Sequence, residues 1–218
     1  MHNVVILAGG KSERLRGIVP PYHKPFLVVN GKSLLVAAVD VALELGAGKV
    51  IVVATGENAL PVWQLVGHHD KVRVILSDTG VGDSLARGLE LSKTYKTMVM
   101  LGDNVHDVGE LADFARDEHA IGVTEVDYPD ATRFTRLVDD EWYEGRVTFK
   151  EDDLTSATVW CGPLVVDTHK GQHYLRGQQR IGAFLPRIAP NATHIKVSSV
   201  DVGVPSALVG LTVGGPRD

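Results

Sequence analysis

A cluster of glycines and cations follows the first apolar segment of the chain: Leu7-Ala8-Gly9-Gly10-Lys11-Ser12-Glu13-Arg14-Leu15-Arg16-Gly17, then Lys24-Pro25. A Gly-Gly pair directly after a buried strand lets the backbone approach a phosphate closely and offer it N–H groups. Arg14, Arg16 and Lys24 can add charge-assisted bonds to a polyphosphate. Two phosphate-binding patterns fail on spacing. Gly10-Lys11-Ser12 and Gly31-Lys32-Ser33 imitate the end of a P-loop, but the required earlier glycine is Val5 in one case and Phe26 in the other. Gly80-Val81-Gly82 is no dinucleotide fingerprint, because Leu85 stands where the third glycine belongs. On residue types alone, a solvated basic loop with turn glycines stays open beside the phosphate reading.

Leu101-Gly102-Asp103-Asn104 is the second group with chemical potential. An aspartate just past a buried strand can hold Mg²⁺, which takes one or two carboxylates and completes its shell with phosphate oxygens and water. Gly-Asp-Asn is also ordinary turn chemistry. Asp201, read alone, is an N-cap or turn aspartate ahead of a helix expected over Ser206–Gly210. The histidines argue against a zinc site. His68, His69, His106 and His119 lack helical ligand spacing; His169 and His173 stand four apart, but Gly171 between them speaks against a helix. Cys161, the one cysteine, excludes an intramolecular disulfide and reads as packed within a strand. Ser84 has no triad partner, and Trp142 and Trp160 read as packing residues.

These groups need elements to hold them. The first half alternates apolar β-branched runs with segments of helical spacing. Strands are expected at Val4–Ala8, Val50–Ala54, Val72–Leu76 and Thr97–Leu101, and helices at Ser33–Leu45, Asp83–Ser92 and Val108–Glu118. Strands separated by helices imply βαβ units, a parallel sheet and helices on both faces. Ligands of such sheets bind beyond the carboxyl ends of the strands, which points to the loops starting at Gly9, Ser77 and Gly102. The second half reads as strands at Arg133–Val138, Tyr143–Phe149, Ala157–Val166 and His194–Val200, with a short helix at Ile181–Ile188.

The chain has 218 residues, 44% apolar and 22% charged, which suits one globular domain with a sizeable core. A formal charge of -5 and the lack of a Lys/Arg run give no reason to expect nucleic acid. No segment approaches the ~20 apolar residues of a membrane span. The short Val4–Ala8 run is no signal sequence, so a cytoplasmic location is expected. A homo-oligomer stays open.

The pattern Leu-Ala-Gly-Gly-x-x-x-Arg-Leu followed by Lys-Pro resembles the signature of the sugar-phosphate nucleotidyltransferases, which make nucleoside-diphosphate sugars. Their strongest form is Gly-Gly-x-Gly-Thr-Arg; Ser12 and Glu13 stand in place of Gly-Thr, and Ser12 is closer to the molybdenum-cofactor guanylyltransferase branch of the same fold. Gly102-Asp103-Asn104 resembles the thymidylyltransferase-like members, and Asp201-Val202-Gly203-Val204 resembles the family's Asp-x-Gly-Thr segment. The matches run in order from residue 4 to about 208.

The resemblance implies a Rossmann-like three-layer α/β/α fold of the GT-A-like nucleotidyltransferase kind, with a mostly parallel mixed sheet. It implies one domain over 1–218, with an NTP-binding core at about 1–120 and an acceptor-binding elaboration at about 121–200. By the same resemblance Leu7, Ala8, Gly9, Gly10, Ser77, Gly80, Gly82 and Asp83 contact the NTP, Arg14 and Lys24 act on its phosphates, and Asp103 and Asp201 hold Mg²⁺. Arg133, Lys150 and Gly162 would contact the acceptor, a sugar phosphate. The reaction implied is transfer of NMP from an NTP to a sugar 1-phosphate with release of pyrophosphate. A phosphate monoester is already an anion near neutral pH and needs no general base. Two alternatives stay open: a cytidylyl- or guanylyltransferase acting on a non-sugar phosphate, and a non-catalytic nucleotide or nucleotide-sugar binding subunit, kept open by the substitutions at Glu13, Thr135, Phe149 and Val204.

Overall fold

In a computed structural model the chain begins with β1 (Asn3–Leu7), whose last four residues are buried. The structure describes residues 2–12, 15, 17–127, 135–138, 141–143, 156–198 and 200–201. A single turn of 3-10 helix, Lys24–Phe26, leads into a small hairpin of β2 (Val28–Val29) and β3 (Lys32–Ser33). Helix α1 (Leu34–Glu44) follows, with the Ser33 hydroxyl accepting from the Val36 N–H as its N-cap. Next come β4 (Val50–Ala54), α2 (Ala59–Val66), β5 (Val72–Leu76), α3 (Val81–Ser92) and β6 (Lys96–Leu101).

Strands β5, β4, β1 and β6 lie side by side in that order and all run parallel. The chain leaves β1 toward β4 and β5, then returns to β6 on the other side of β1. The crevice between the carboxyl ends of β1 and β6 is therefore the switch point of the sheet, the usual ligand position in open α/β sheets.

After β6 come the two-residue strand β7 (Asn104–Val105), α4 (Val108–Phe114), β8 (Ala120–Asp127), β9 (Arg136–Val138), β10 (Glu141–Tyr143) and the long β11 (Ser156–Asp167). The described chain ends with α5 (Thr168–Leu175), α6 (Leu185–Ile188), β12 (Thr193–Lys196) and β13 (Val200–Asp201). Through Leu164–Asp167, β11 is antiparallel to β6; through Thr158 and Val159 it pairs β9 instead. Its pairing with β8 shifts register between Trp160 and Leu164, so the strand bends where its partner changes.

Alternation along the strands sorts the core into two layers. Val4, Ile6, Val50, Val52, Met98 and Met100 pack with α1, α2 and α4 on one face. Val5, Ile51, Val53, Val99, Leu164 and Val166 pack with α3, α5 and α6 on the other. The architecture is α/β/α around a mostly parallel mixed sheet, as the resemblance implies.

Several expectations need correction. Helix α2, strand β8 and helix α5 are not expected from residue spacing. Pro61 sits in the first turn of α2, where no helical N–H partner is lost. Gly171 lies inside α5, so His169 and His173 do share a helix. A Cβ at Gly171 would run into Leu89 of α3, so the glycine is there for close helix packing. Helix α4 stops at Phe114 rather than Glu118, and residues 115–117 close as turns onto Leu111, Asp113 and Phe114. Ile181–Ile188 is a 3-10 turn followed by a four-residue helix, and the last expected strand ends at Lys196. Residues 144–149 and the expected helix at Ser206–Gly210 lie outside the described residues. No helix among the described residues is long and apolar enough to cross a membrane.

Candidate active site

Lys24 and Asp103 meet in the crevice between β1 and β6. The Lys24 ammonium donates to the Asp103 carboxylate at 2.5 Å. Lys24 is buried by the 3-10 turn, whereas the Asp103 side chain keeps 27% of its surface exposed. The Lys24 N–H also donates to the Ser12 hydroxyl at 3.3 Å, which ties the lysine segment to the glycine loop. Ser12 itself adopts a left-handed φ of 53°. Across the crevice, the Gly102 N–H donates to Leu7 O at 2.9 Å, so the Asp103 turn is tied to the end of β1.

Asp103 is held from behind by Asn104. That side chain is buried, and its amide donates to Cys161 O at 2.7 Å, inside the bend of β11. Gly162 makes this approach feasible. Its φ of 125° suits glycine, and a Cβ there would stand 2.8 Å from the Asn104 amide nitrogen. Strand β7 also pairs antiparallel with β13, bringing the Asp201 backbone opposite Asn104 and thus one residue from Asp103. His106, just beyond, is half-buried with Nε2 3.2 Å from Leu101 O. Burial holds its pKa below the ordinary value of 6.5. Cys161 is buried, and desolvation pushes its thiol up to about 12, so it is an inert packing residue.

The Gly9–Lys24 segment borders a cavity of about 400 Å³ lined by Lys11, Ser12, Ile18, Val19, Pro21 and Tyr22. Beyond where a Cβ of Gly10 would stand there is open space. This arrangement offers an anion a glycine-flanked backbone and a buried cation, with a half-exposed carboxylate opposite.

A family model described as the MobA-like NTP transferase domain matches residues 4–132. The chain belongs to this family. As an NTP transferase it is similar to the UTP–glucose-1-phosphate uridylyltransferase AglF of Haloferax volcanii, 28% identical over 72% of this chain and 69% of the relative. It is also 28% identical to the bifunctional protein GlmU of Burkholderia mallei, over 79% of this chain but only 43% of GlmU. Among solved structures, a putative glucose-1-phosphate thymidylyltransferase from Bacillus anthracis shares the fold with a TM-score of 0.75 at 19% identity, covering 97% of this chain and 94% of that one. HddC from Yersinia pseudotuberculosis, solved with GMP-PN, gives a TM-score of 0.68 at 20% identity, covering 97% and 98%.

Within this transferase the expected site residues fall into three sets. Leu7, Ala8, Gly9, Gly10, Lys24, Asp103 and Gly162 gather around the crevice. Ser77, Gly80, Gly82 and Asp83 run from the end of β5 into the first turn of α3, with β4 standing between β5 and β1. Arg14, Arg133, Lys150 and the side chain of Asp201 lie outside the described residues.

The Ser77–Asp83 loop is tightly self-bonded. Hydroxyls link Ser84 to Ser77 at 2.9 Å and Ser77 to Thr79 at 2.8 Å, and Thr79 donates to Asp83 at 2.6 Å. Asp83 also accepts from the Gly177 N–H at 2.7 Å and from Arg87 at 3.0 Å. The Thr79 and Gly177 bonds, with Arg87 close by, hold its carboxyl below the usual range. The N–H groups of Val81 and Asp83, at the start of α3, donate to Gln179 O and Gln178 O.

Asn58 is the residue that sequence reasoning missed. It is 1% exposed, and its amide donates to Ala8 O at 2.8 Å and to Tyr22 O at 3.4 Å. No pattern in the sequence singles it out, because the helix that it precedes is itself not expected from residue spacing.

Proposed function

We propose that this transferase moves a nucleoside monophosphate from an NTP to a sugar 1-phosphate and releases pyrophosphate. The observation that carries the proposal is the Lys24–Asp103 pair beside the glycine loop, at the switch point of the sheet. The activities named for AglF and for the Bacillus anthracis structure support the sugar phosphate as acceptor.

The acceptor's phosphate oxygen is the nucleophile and attacks the α-phosphorus; the α–β bridging oxygen leaves with pyrophosphate. An anionic nucleophile needs no protein base, so catalysis rests on alignment and charge neutralisation. The glycine loop receives the triphosphate through backbone N–H groups. Lys24, preset by Ser12 and Asp103, offsets its charge, with Arg14 as the second cation. Arg133 and Lys150, in the elaboration, would orient the acceptor.

Asp103 and Asp201 suit Mg²⁺. Asp103 is a partly exposed hard oxygen ligand beyond β6, the β13 register brings residue 201 beside it, and Mg²⁺ needs few protein ligands when phosphates supply the rest. When bound, the ion would draw charge from phosphate oxygens.

The test is pyrophosphate release from a panel of NTPs paired with sugar 1-phosphates, with and without Mg²⁺. Release with at least one pairing, abolished by chelation, is expected; no release from any pairing would defeat the proposal. A second reading, GMP or CMP transfer to a non-sugar phosphate, is favoured by the MobA-like family match and by Ser12. The same panel separates the two once pterin, choline and polyol phosphates are added.

A further inference from the structure

Helix α2 starts without a side-chain cap. Asn58 occupies its N-cap position with φ -117° and ψ 3°, yet makes no capping bond. Asparagine is among the best N-cap residues, so forgoing that bond leaves the start of the helix less stable than it could be. Its side chain is instead turned away from the helix and into the loops of the crevice.

There its hydrogen-bonding groups are engaged on both sides. The oxygen accepts from the Thr55 N–H at 2.9 Å and from the Thr55 hydroxyl at 3.1 Å. The amide donates to Ala8 O and Tyr22 O. Ala8 O and the Gly9 N–H belong to one planar trans peptide, so they point in opposite directions. Pulling Ala8 O down onto Asn58 therefore turns the Gly9 N–H away from it, toward the crevice. Thr55 backs the same peptide: a Cβ on Gly9 would stand 2.7 Å from the Thr55 methyl. Tyr22 lies two residues before Lys24, so the one amide group joins the loop that receives the anion to the segment that carries the cation.

We infer that Asn58 is the positioning residue of the phosphate loop, holding the Ala8–Gly9 peptide so that the Gly9 N–H faces the triphosphate. The inference rests on the nucleotidyl-transfer reading. Without Asn58 the peptide gains freedom to rotate, since glycine tolerates most backbone angles. A flipped peptide would present a carbonyl oxygen, not an N–H, to an anion.

The experiment compares Asn58→Ala with the full-length wild type, using the NTP and acceptor that give most pyrophosphate. Expected is a rise of at least tenfold in KM for the NTP, with KM for the acceptor changed less than twofold. Both are measured well below the variant's Tm. A lowered Tm with both KM values unchanged would mean that Asn58 only props up the fold, and would overturn the inference. If Asn58→Ala does not fold, Asn58→Ser, which is too short to reach Ala8 O, takes its place with the same two outcomes. A thermal-shift titration with each NTP separates the two levels of the argument. If the wild type neither binds an NTP nor releases pyrophosphate, the transfer reading fails and the inference falls with it. If the wild type does both and the Asn58 variants bind the NTP as tightly, the role of Asn58 alone is refuted.

Discussion

The segments after β1 and β5 each leave a parallel strand and each carry glycines, Gly9, Gly10 and Gly17 in the first and Gly80 and Gly82 in the second, but Gly10 and Gly82 serve different ends. In the first loop the space beside Gly10 is empty, and the polar groups around it converge on an open crevice. In the second, the space beside Gly82 is taken by backbone of the same chain: a Cβ there would stand 2.5 Å from Arg180 O and 2.9 Å from Gln178 O. The amides that begin α3, ordinarily an anion site, are bonded to Gln178 and Gln179. Gly10 leaves room for a ligand, while Gly82 leaves room for the protein. Composition cannot separate them, because in both cases the requirement is the absence of a side chain.

The contrast breaks if the open loop proves dispensable for the reaction. Replacing Asp103 with Asn removes the negative partner of Lys24 and the proposed metal ligand while keeping the side chain's shape. Loss of one preorganised charge at a phosphoryl centre typically lowers turnover by ~10²–10³. Pyrophosphate release at saturating substrate, with folding checked by circular dichroism, measures it. Near-normal turnover would remove Asp103 from the chemistry.

The glycines themselves sharpen the contrast. Gly82→Ala drives a methyl into fixed backbone and should lower unfolding free energy by about 1–3 kcal/mol, the usual cost of overpacking. Gly10→Ala meets no neighbour and should change stability by less than about 0.5 kcal/mol. Its effect should appear instead as a raised KM for the NTP. Urea unfolding of both variants, alongside their kinetics, reads the pair; equal destabilisation would erase the difference between the loops.

Asp83 holds the closed loop shut. Asp83→Ala strips partners from the Gly177 N–H and the Thr79 hydroxyl, which should cost about 1–3 kcal/mol. KM for the NTP should move less than in Gly10→Ala. A larger movement in KM than in stability would give Asp83 the nucleotide contact that the family resemblance implies.

Much of the framework was legible because it depends on local pattern. Runs rich in apolar and β-branched residues marked β1, β4, β5 and β6, and glycine and aspartate at their ends marked the crevice. What escaped reading depends on contacts distant in sequence. Gly171 resembles a helix breaker until Leu89 is seen against it. Asn58 carries no local signal, and its amide bonds to Ala8, fifty residues earlier. The seat of Asp103 depends on Asn104 reaching Cys161, 57 residues onward, past a glycine in a backbone form few other residues adopt. No periodicity encodes such pairs.

Acid should discriminate between the two sides of the comparison by the order in which they weaken. His106 lies under the Asp103 turn, and its pKa is depressed by burial, so the folded protein binds a proton there less readily than the unfolded chain does. Its contribution is therefore complete above the unfolded value of 6.5 and declines as pH falls below it. The slope for one such histidine is at most about 1.4 kcal/mol per pH unit. Asp83 behaves otherwise. Its carboxyl is depressed from 3.8, so the bonds that close its loop persist until pH falls below that value. Between pH 6.5 and 5 the losses should come from histidines, with His2 and His119, also depressed by burial, adding theirs from the far end of the sheet. His106→Gln should make the fall in urea-measured stability across that interval shallower, whereas Asp83→Asn should leave its slope as in the wild type. If Asp83→Asn changes the slope there and His106→Gln does not, the closed loop rather than the crevice is the acid-sensitive side.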